Sequence, residues 1–242
     1  VSGATPRPRA ALFGPEPLVF ADVALRIDPA EVLRFQGYKP GIDRPDDQVR
    51  AVLDEALALG ASLAAPRAVF SAHPAETSGS QARVAGVPFA IPEIGRLWGP
   101  IRHAGIALCT IGAALEARVA ELFDARELPL AVMLDSVGSA AVESLAEHVN
   151  DWLCATALAE GVKVTNRISP GYAGWAVEDQ RALFALCQGE RAGIDLNASC
   201  FMTPVKSISM MVGIGPEARV DHYFTQCRRC WMRDCSYRRV AA

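Results

Sequence analysis

The feature that most constrains the fold lies between Pro129 and about Glu160. There Val132, Leu134, Val137, Val142, Leu145, Val149 and Leu153 recur at helical spacing along the whole stretch. A helix that long with one apolar side must have that side covered by other elements of the chain. Gly138 and Ser139 inside it permit close packing or a slight bend. The chain has 242 residues, 51% of them hydrophobic, enough for a full core around such a helix.

The remaining elements punctuate themselves. Leu18–Ile27 alternates as a strand does. Asp28-Pro29-Ala-Glu31 then opens a helix that ends near Gly37, with Asp28 as N-cap, Pro29 in the first turn and Glu31 closing a capping box. A second helix runs from Asp46 to about Ala61 with Val49, Val52, Leu53, Ala56 and Leu57 on one face. Arg67–Ala72 and Arg83–Ile91 are β-branched and aromatic segments parted by the polar Thr77–Ser80 turn. Gly105–Thr110 is an apolar strand, Gly112 starts a helix through Phe123, a helix covers Glu178–Gln188, and a strand covers Lys206–Gly213. Hairpins outnumber βαβ crossovers in this order. The expected class is α+β, a mostly antiparallel twisted sheet with helices packed against one side of it. Residues 1–17, rich in Pro, Gly and Ala, read as an arm without its own core. Residues 18–222 form the domain, and 223–242 a cysteine- and arginine-rich tail packed on it.

Net charge is −3 and the isoelectric point near 5.9, so the chain as a whole offers no electrostatic case for nucleic acid. Arg228, Arg229, Arg233, Arg238 and Arg239 nevertheless crowd the end of the sequence. They form either a solvated terminus or a docking surface for an acidic partner or anionic cofactor. No stretch approaches the roughly 20 apolar residues of a membrane span, and the first thirty residues lack an export-signal pattern. Seven cysteines without such a signal argue for a reducing cytoplasm, where clustered thiols read as metal ligands before disulfides.

Three of those cysteines stand in Cys227-Arg-Arg-Cys230-Trp-Met-Arg-Asp-Cys235. The C-x2-C-x4-C spacing lets three thiolates converge on one object, and thiolate is the soft ligand that zinc and iron–sulfur clusters select. Either centre needs a fourth ligand, for which Cys200 in Leu196-Asn-Ala-Ser-Cys200-Phe-Met-Thr-Pro204 is the best candidate. By count, a [4Fe-4S] cluster and a structural zinc fit equally. Cys109, Cys154 and Cys187 sit in apolar contexts and read as small buried hydrophobes.

Two further stretches carry polar chemistry. Arg167-Ile-Ser169-Pro170-Gly171-Tyr172 places a proline and a glycine in a tight turn between a cation and an aromatic ring. That arrangement suits an anionic or amphipathic ligand, although an ordinary buried turn is the commoner cause. Asp135, Ser139 and Glu143, four residues apart, share one helical face. Catalytic carboxylates could be arranged so; a polar stripe facing solvent is the usual explanation. No Walker A, G-x-G-x-x-G, G-x-S-x-G or H-E-x-x-H element is present.

Taken in order, several segments resemble the activation (reactivation) domain of cobalamin-dependent methionine synthase and its free-standing relatives. They are Glu31-Val-Leu-Arg-Phe-Gln-Gly-Tyr38, Thr110-Ile-Gly112, Leu134-Asp-Ser-Val-Gly-Ser-Ala-Ala-Val-Glu143, Arg167–Tyr172 and Met202-Thr-Pro-Val-Lys-Ser207-Ile-Ser209. The resemblance spans about residues 18–215, and its most specific piece is Arg-x-x-Pro-Gly-Tyr. Two departures stand out. An acidic residue found in a Leu-Thr-Glu-Ser run of methionine synthases is replaced within Leu196-Asn197-Ala198-Ser199, and the cysteine tail is shared only with some free-standing relatives.

The resemblance implies a pocket for S-adenosylmethionine lined by Arg167, Ser169, Pro170, Gly171 and Tyr172, with Arg167 addressing the ligand's carboxylate. Met202, Pro204 and Ser207 would flank that pocket or the corrinoid, which a corrinoid-binding protein or methyltransferase would present. Cys200, Cys227, Cys230 and Cys235 would hold the metal centre. A [4Fe-4S] cluster there could reduce cob(II)alamin, with ferredoxin or flavodoxin as upstream donor, whereas zinc is redox-inert. The alternative is a corrinoid- or adenosylmethionine-binding module with a structural zinc. The expected setting is cytoplasmic, with no nucleic acid and no membrane as partners.

Overall fold

Three long strands set the layout. In a computed structural model, which describes residues 12–39, 41–172 and 174–221, Arg67–Ser78 (β2), His103–Thr110 (β5) and Ser207–Gly215 (β9) lie side by side. The chain order around them is β1 (Leu18–Ala21), α1 (Pro29–Phe35), α2 (Asp47–Leu63), β2, β3 (Gln81–Val84), β4 (Val87–Ala90), α3 (Ile94–Trp98) and β5. Then follow α4 (Ala114–Asp124), α5 (Leu128–Ala159), β6 (Lys163–Val164), α6 (Gln180–Cys187), β7 (Asp195–Leu196), β8 (Met202–Thr203) and β9. The main sheet runs β4-β3-β2-β5-β9-β6 with β1 also on β2, and every ladder in it is antiparallel. β7 and β8 form a separate small hairpin. The expected α+β class with a mostly antiparallel sheet is what the chain adopts.

Helices cover both faces, not one. Alternate residues of the central strands point to opposite sides. Ala68, Phe70, Ala107, Cys109, Met210 and Val212 meet Leu145, Ala146, Val149 and Leu153 of α5. Val69, Ile106, Leu108 and Met211 meet Ile94 and Trp98 of α3 and Leu183 and Cys187 of α6. This explains the unbroken apolar run in β5, which is buried along almost its whole length. Each large side chain so buried contributes about 1.5–3 kcal/mol.

The long helix serves two cores. Its first half packs on α1, α2 and α4 through Leu130, Leu134, Val137 and Val142; its second half packs on the sheet. By length and composition α5 could cross a bilayer, contrary to the reading that no stretch approaches a span. Its contacts with other helices and with the sheet make it a core helix here.

The helix starts behave as their sequences require. Asp28 accepts the Ala30 N–H at 2.9 Å and Asp46 the Val49 N–H at 2.8 Å. The described part of the arm joins the core beneath α5 through Leu12, while Phe13 stacks on His103 at 4.2 Å. Leu18–Ile27 is a shorter strand than its alternation suggests, and Arg83–Ile91 begins in β3 and turns back as β4.

Candidate functional site

The polar face of α5 is occupied. Lys206, the residue before β9, lies with its ammonium 2.8 Å from Asp135 Oδ1 and donates to Ser139 Oγ at 3.0 Å. Only 12% of its side chain is exposed. It crosses the helix at Gly138, where an added Cβ would lie 3.2 Å from Lys206 Cε and 2.8 Å from Leu115 Cδ2. A glycine there leaves room for the lysine. One turn further on, Arg167 Nη2 donates to Glu143 Oε2 at 2.7 Å. The stripe expected to face solvent therefore clamps two cations, Arg167 from the Arg167–Tyr172 turn and Lys206 from the Met202–Ser209 segment.

A third carboxylate fixes the strap between those cations. Glu116 of α4 accepts the backbone N–H groups of Val205 at 2.8 Å and Lys206 at 3.3 Å. The Thr203–Pro204 bond is cis, and Ser207 Oγ donates to the Pro204 carbonyl at 2.7 Å. Val205 is left 70% exposed at the tip of this strap. Met202 packs, half-buried, against the α6-side core, and Pro204 is buried.

The Arg167–Tyr172 segment runs along β9 and then turns. Ile168 exchanges both backbone hydrogen bonds with Met211, which sends Arg167 and Ser169 to the other side of the segment. Ser169 Oγ donates to the Ser209 carbonyl at 2.7 Å. Gly171 has φ +87°, a conformation that glycine adopts without strain, and its N–H reaches the Trp175 carbonyl at 2.8 Å. Pro170 and Trp175 are buried, with the Trp175 indole donating to Asp179 at 2.7 Å, while Tyr172 is 55% exposed. The turn thus has a buried foundation and an aromatic ring at the surface.

Cys200 occupies a third segment, the β7–β8 hairpin. Asn197 closes it, its Oδ1 accepting the N–H groups of Ser199 and Phe201 at 2.9 and 3.0 Å. Cys200 has φ +62° and a buried side chain, next to a Phe201 that is 70% exposed. The Cys200 carbonyl accepts from Gln180 Nε2 at 2.9 Å. Gln180 Oε1 accepts from Ser209 Oγ at 2.7 Å, and Arg181 donates to the Ala198 carbonyl. Sequence patterns had marked neither Gln180 nor Glu116 as a site residue, Glu116 reading only as part of a helix entry. The only trace of them is a polar residue at a helix start beside an apolar face, which many surface positions share.

Cys227, Cys230 and Cys235 lie outside the described residues. Among the described residues, no group of three or more His, Cys, Asp or Glu side chains is placed to hold a metal ion. The last described residue, Asp221, donates its N–H to Asn166 Oδ1 at 3.1 Å, at a groove of about 700 Å³ lined by Arg96, Trp98, Lys163, Ile168 and Arg219. Trp98 and Ile168 belong to the core on the α6 side, the side from which Gln180 holds the Cys200 hairpin. Cys227 follows Asp221 by six residues, a length that spans at most about 20 Å. Burial pushes Cys109 and Cys187 up to about 12, so both stay protonated.

No protein-family model and no curated protein matches the sequence. Among solved structures, the crystal structure of the MetH reactivation domain bound to AdoHcy is similar, with a TM-score of 0.60 at 14% identity. The match covers 87% of this chain and 81% of that one. The chain has the fold of the MetH reactivation domain, as the sequence resemblance implied.

Proposed function

We propose that this protein reactivates a corrinoid-dependent methyltransferase, docking on the corrinoid its partner presents and delivering an electron to cob(II)alamin. The observation that carries the reading is the convergence of two segments on one stripe of α5 within the MetH-reactivation fold. Arg167 reaches Glu143 and Lys206 reaches Asp135 and Ser139. The segments so held expose Tyr172 and Val205, and the adjoining hairpin exposes Phe201. Apolar side chains of this kind pack readily against the ring of a macrocycle.

The Arg167–Glu143 pair also suits a zwitterion. A cation and a carboxylate 2.7 Å apart, each about a third exposed, can take the carboxylate and the ammonium of an α-amino acid group respectively. S-adenosylmethionine and its demethylated product both carry that group. Arg167→Ala is expected to abolish binding of either in a calorimetric titration.

Electron delivery rests on Cys200, Cys227, Cys230 and Cys235 as ligands. Four soft thiolates suit a [4Fe-4S] cluster, which when bound would supply a low-potential electron. Asn197 and Gln180 fix the backbone of Cys200, the described cysteine proposed as the fourth ligand. A reducing compartment and an acidic electron donor of the ferredoxin or flavodoxin type complete the reading. The test is iron and sulfide content, with a visible spectrum, on protein purified without oxygen. About four irons and four sulfides per chain, lost in Cys200→Ala, are expected. One zinc without sulfide would overturn electron delivery and leave a corrinoid- or adenosylmethionine-binding module.

A further inference from the structure

Gln180 is the first residue of α6, yet its side chain is 6% exposed and spent entirely on other segments. Its Nε2 donates to the Cys200 carbonyl at 2.9 Å and its Oε1 accepts from Ser209 Oγ at 2.7 Å. The Cys200 carbonyl needs a donor, which settles which end of the amide faces which partner. The Ser209 carbonyl in turn accepts from Ser169 Oγ at 2.7 Å, so a continuous line of bonds runs from the Cys200 hairpin to the Pro170–Tyr172 turn. The same turn reaches α6 a second time, through the Trp175 indole on Asp179, the residue before Gln180. Between Cys200 and Ser209 the covalent path is nine residues and passes through the exposed strap.

We propose that Gln180 is a positioning residue that couples the Cys200 hairpin to the Ser169–Tyr172 turn, so that a change in one is transmitted to the other. This rests on reading those two segments as two parts of one site. Without the amide, the Cys200 carbonyl and the Ser209 hydroxyl are buried and lose their partner, and each segment opens independently. Arg181, whose guanidinium donates to Ala198 from the exposed side, ties the hairpin to α6 but not to Ser209, so its removal perturbs the hairpin with Gln180 in place.

The test is backbone amide hydrogen exchange on the full chain, without ligand, metal or partner. In Gln180→Leu, exchange in both 169–175 and 197–203 is expected to accelerate by about tenfold or more, with α5 and β5 unchanged. Arg181→Ala, which loosens the hairpin directly, is expected to accelerate 197–203 and, to a smaller extent, 169–175, the second effect disappearing when it is combined with Gln180→Leu. The coupling itself is read with Ser169→Ala, which is expected to accelerate exchange in 197–203 in the wild-type background but not when combined with Gln180→Leu. If Ser169→Ala leaves 197–203 unchanged, or acts equally in both backgrounds, the proposal is wrong. Should Gln180→Leu fail to fold, Gln180→Glu replaces it, since its carboxylate still accepts from Ser209 but cannot donate to Cys200. Acceleration confined to 197–203 would then support the same line of bonds, and no change there would overturn it. Because no metal enters the measurement, an iron-free protein would defeat the electron-delivery reading and leave this result standing.

Discussion

Two sets of polar contacts hold the site, and they are built in opposite ways. Along α5, charges do the work: Asp135 with Lys206 and Glu143 with Arg167, each pair keeping part of its surface in water. On the α6 side the buried link is made by neutral groups, the Gln180 amide and the Ser209 hydroxyl, both almost fully buried, while the charged Arg181 and Asp179 make contacts only at its margins. The cost of desolvation accounts for the division. A charge taken out of water needs several kcal/mol of compensation, whereas an amide or hydroxyl with partners in place costs little. The contrast teaches where each set can respond. The charged row can exchange one partner for an incoming ion; the neutral line can only hold or break.

Three perturbations would sharpen or break that contrast. The largest effect is expected in alkali, from the other neutral groups of the interior. Cys109 and Cys187 lie on opposite sides of β5, and burial raises both from 9.0 to about 12. A folded-state value raised above the unfolded one leaves stability intact below pH 9.0 and erodes it as the pH climbs towards 12. Each thiol should contribute a loss of about 1.4 kcal/mol per pH unit in that window. Urea denaturation at a series of pH values checks this, since Cys109→Ala and Cys187→Ala should each flatten the slope. An unchanged slope would mean that the interior admits water.

Next in size is Gln180→Leu, expected to cost about 1–3 kcal/mol by leaving buried groups unpaired. The loss should be the same in low salt and in about 1 M salt, because no charge is involved. Smallest is Glu143→Gln, a part-exposed pair whose removal should cost under about 1 kcal/mol and less still at high salt. Denaturant midpoints at two salt concentrations measure both. A larger and salt-insensitive loss for Glu143→Gln would make the α5 row a buried structural pair, with no charge free to exchange.

Much of the fold was legible because it is local. Asp28 and Asp46 announce their helices through side chains that satisfy the first free N–H groups. The long periodic run from Pro129 became α5 almost residue for residue. The helices on the second face were foreshadowed only by β5, whose lack of polar alternation was the sign that neither side meets water. The five-residue α3 and the two-residue strands β7 and β8 are too short to carry a period.

In the site, sequence spacing placed Asp135, Ser139 and Glu143 on one face and marked Arg167 to Tyr172 as a constrained turn, because backbone geometry fixes both over a few residues. What lies opposite that face was not so encoded. Lys206 sits more than sixty positions away from the helix stripe it crosses, and Gln180 meets Ser209 and Cys200 across some twenty to thirty. Hydrogen bonds of that separation exist only once the sheet has brought its strands together. Periodicity and capping thus determined the elements and their apolar sides, while the packing of α5 and α6 on opposite faces decided which polar residues would meet.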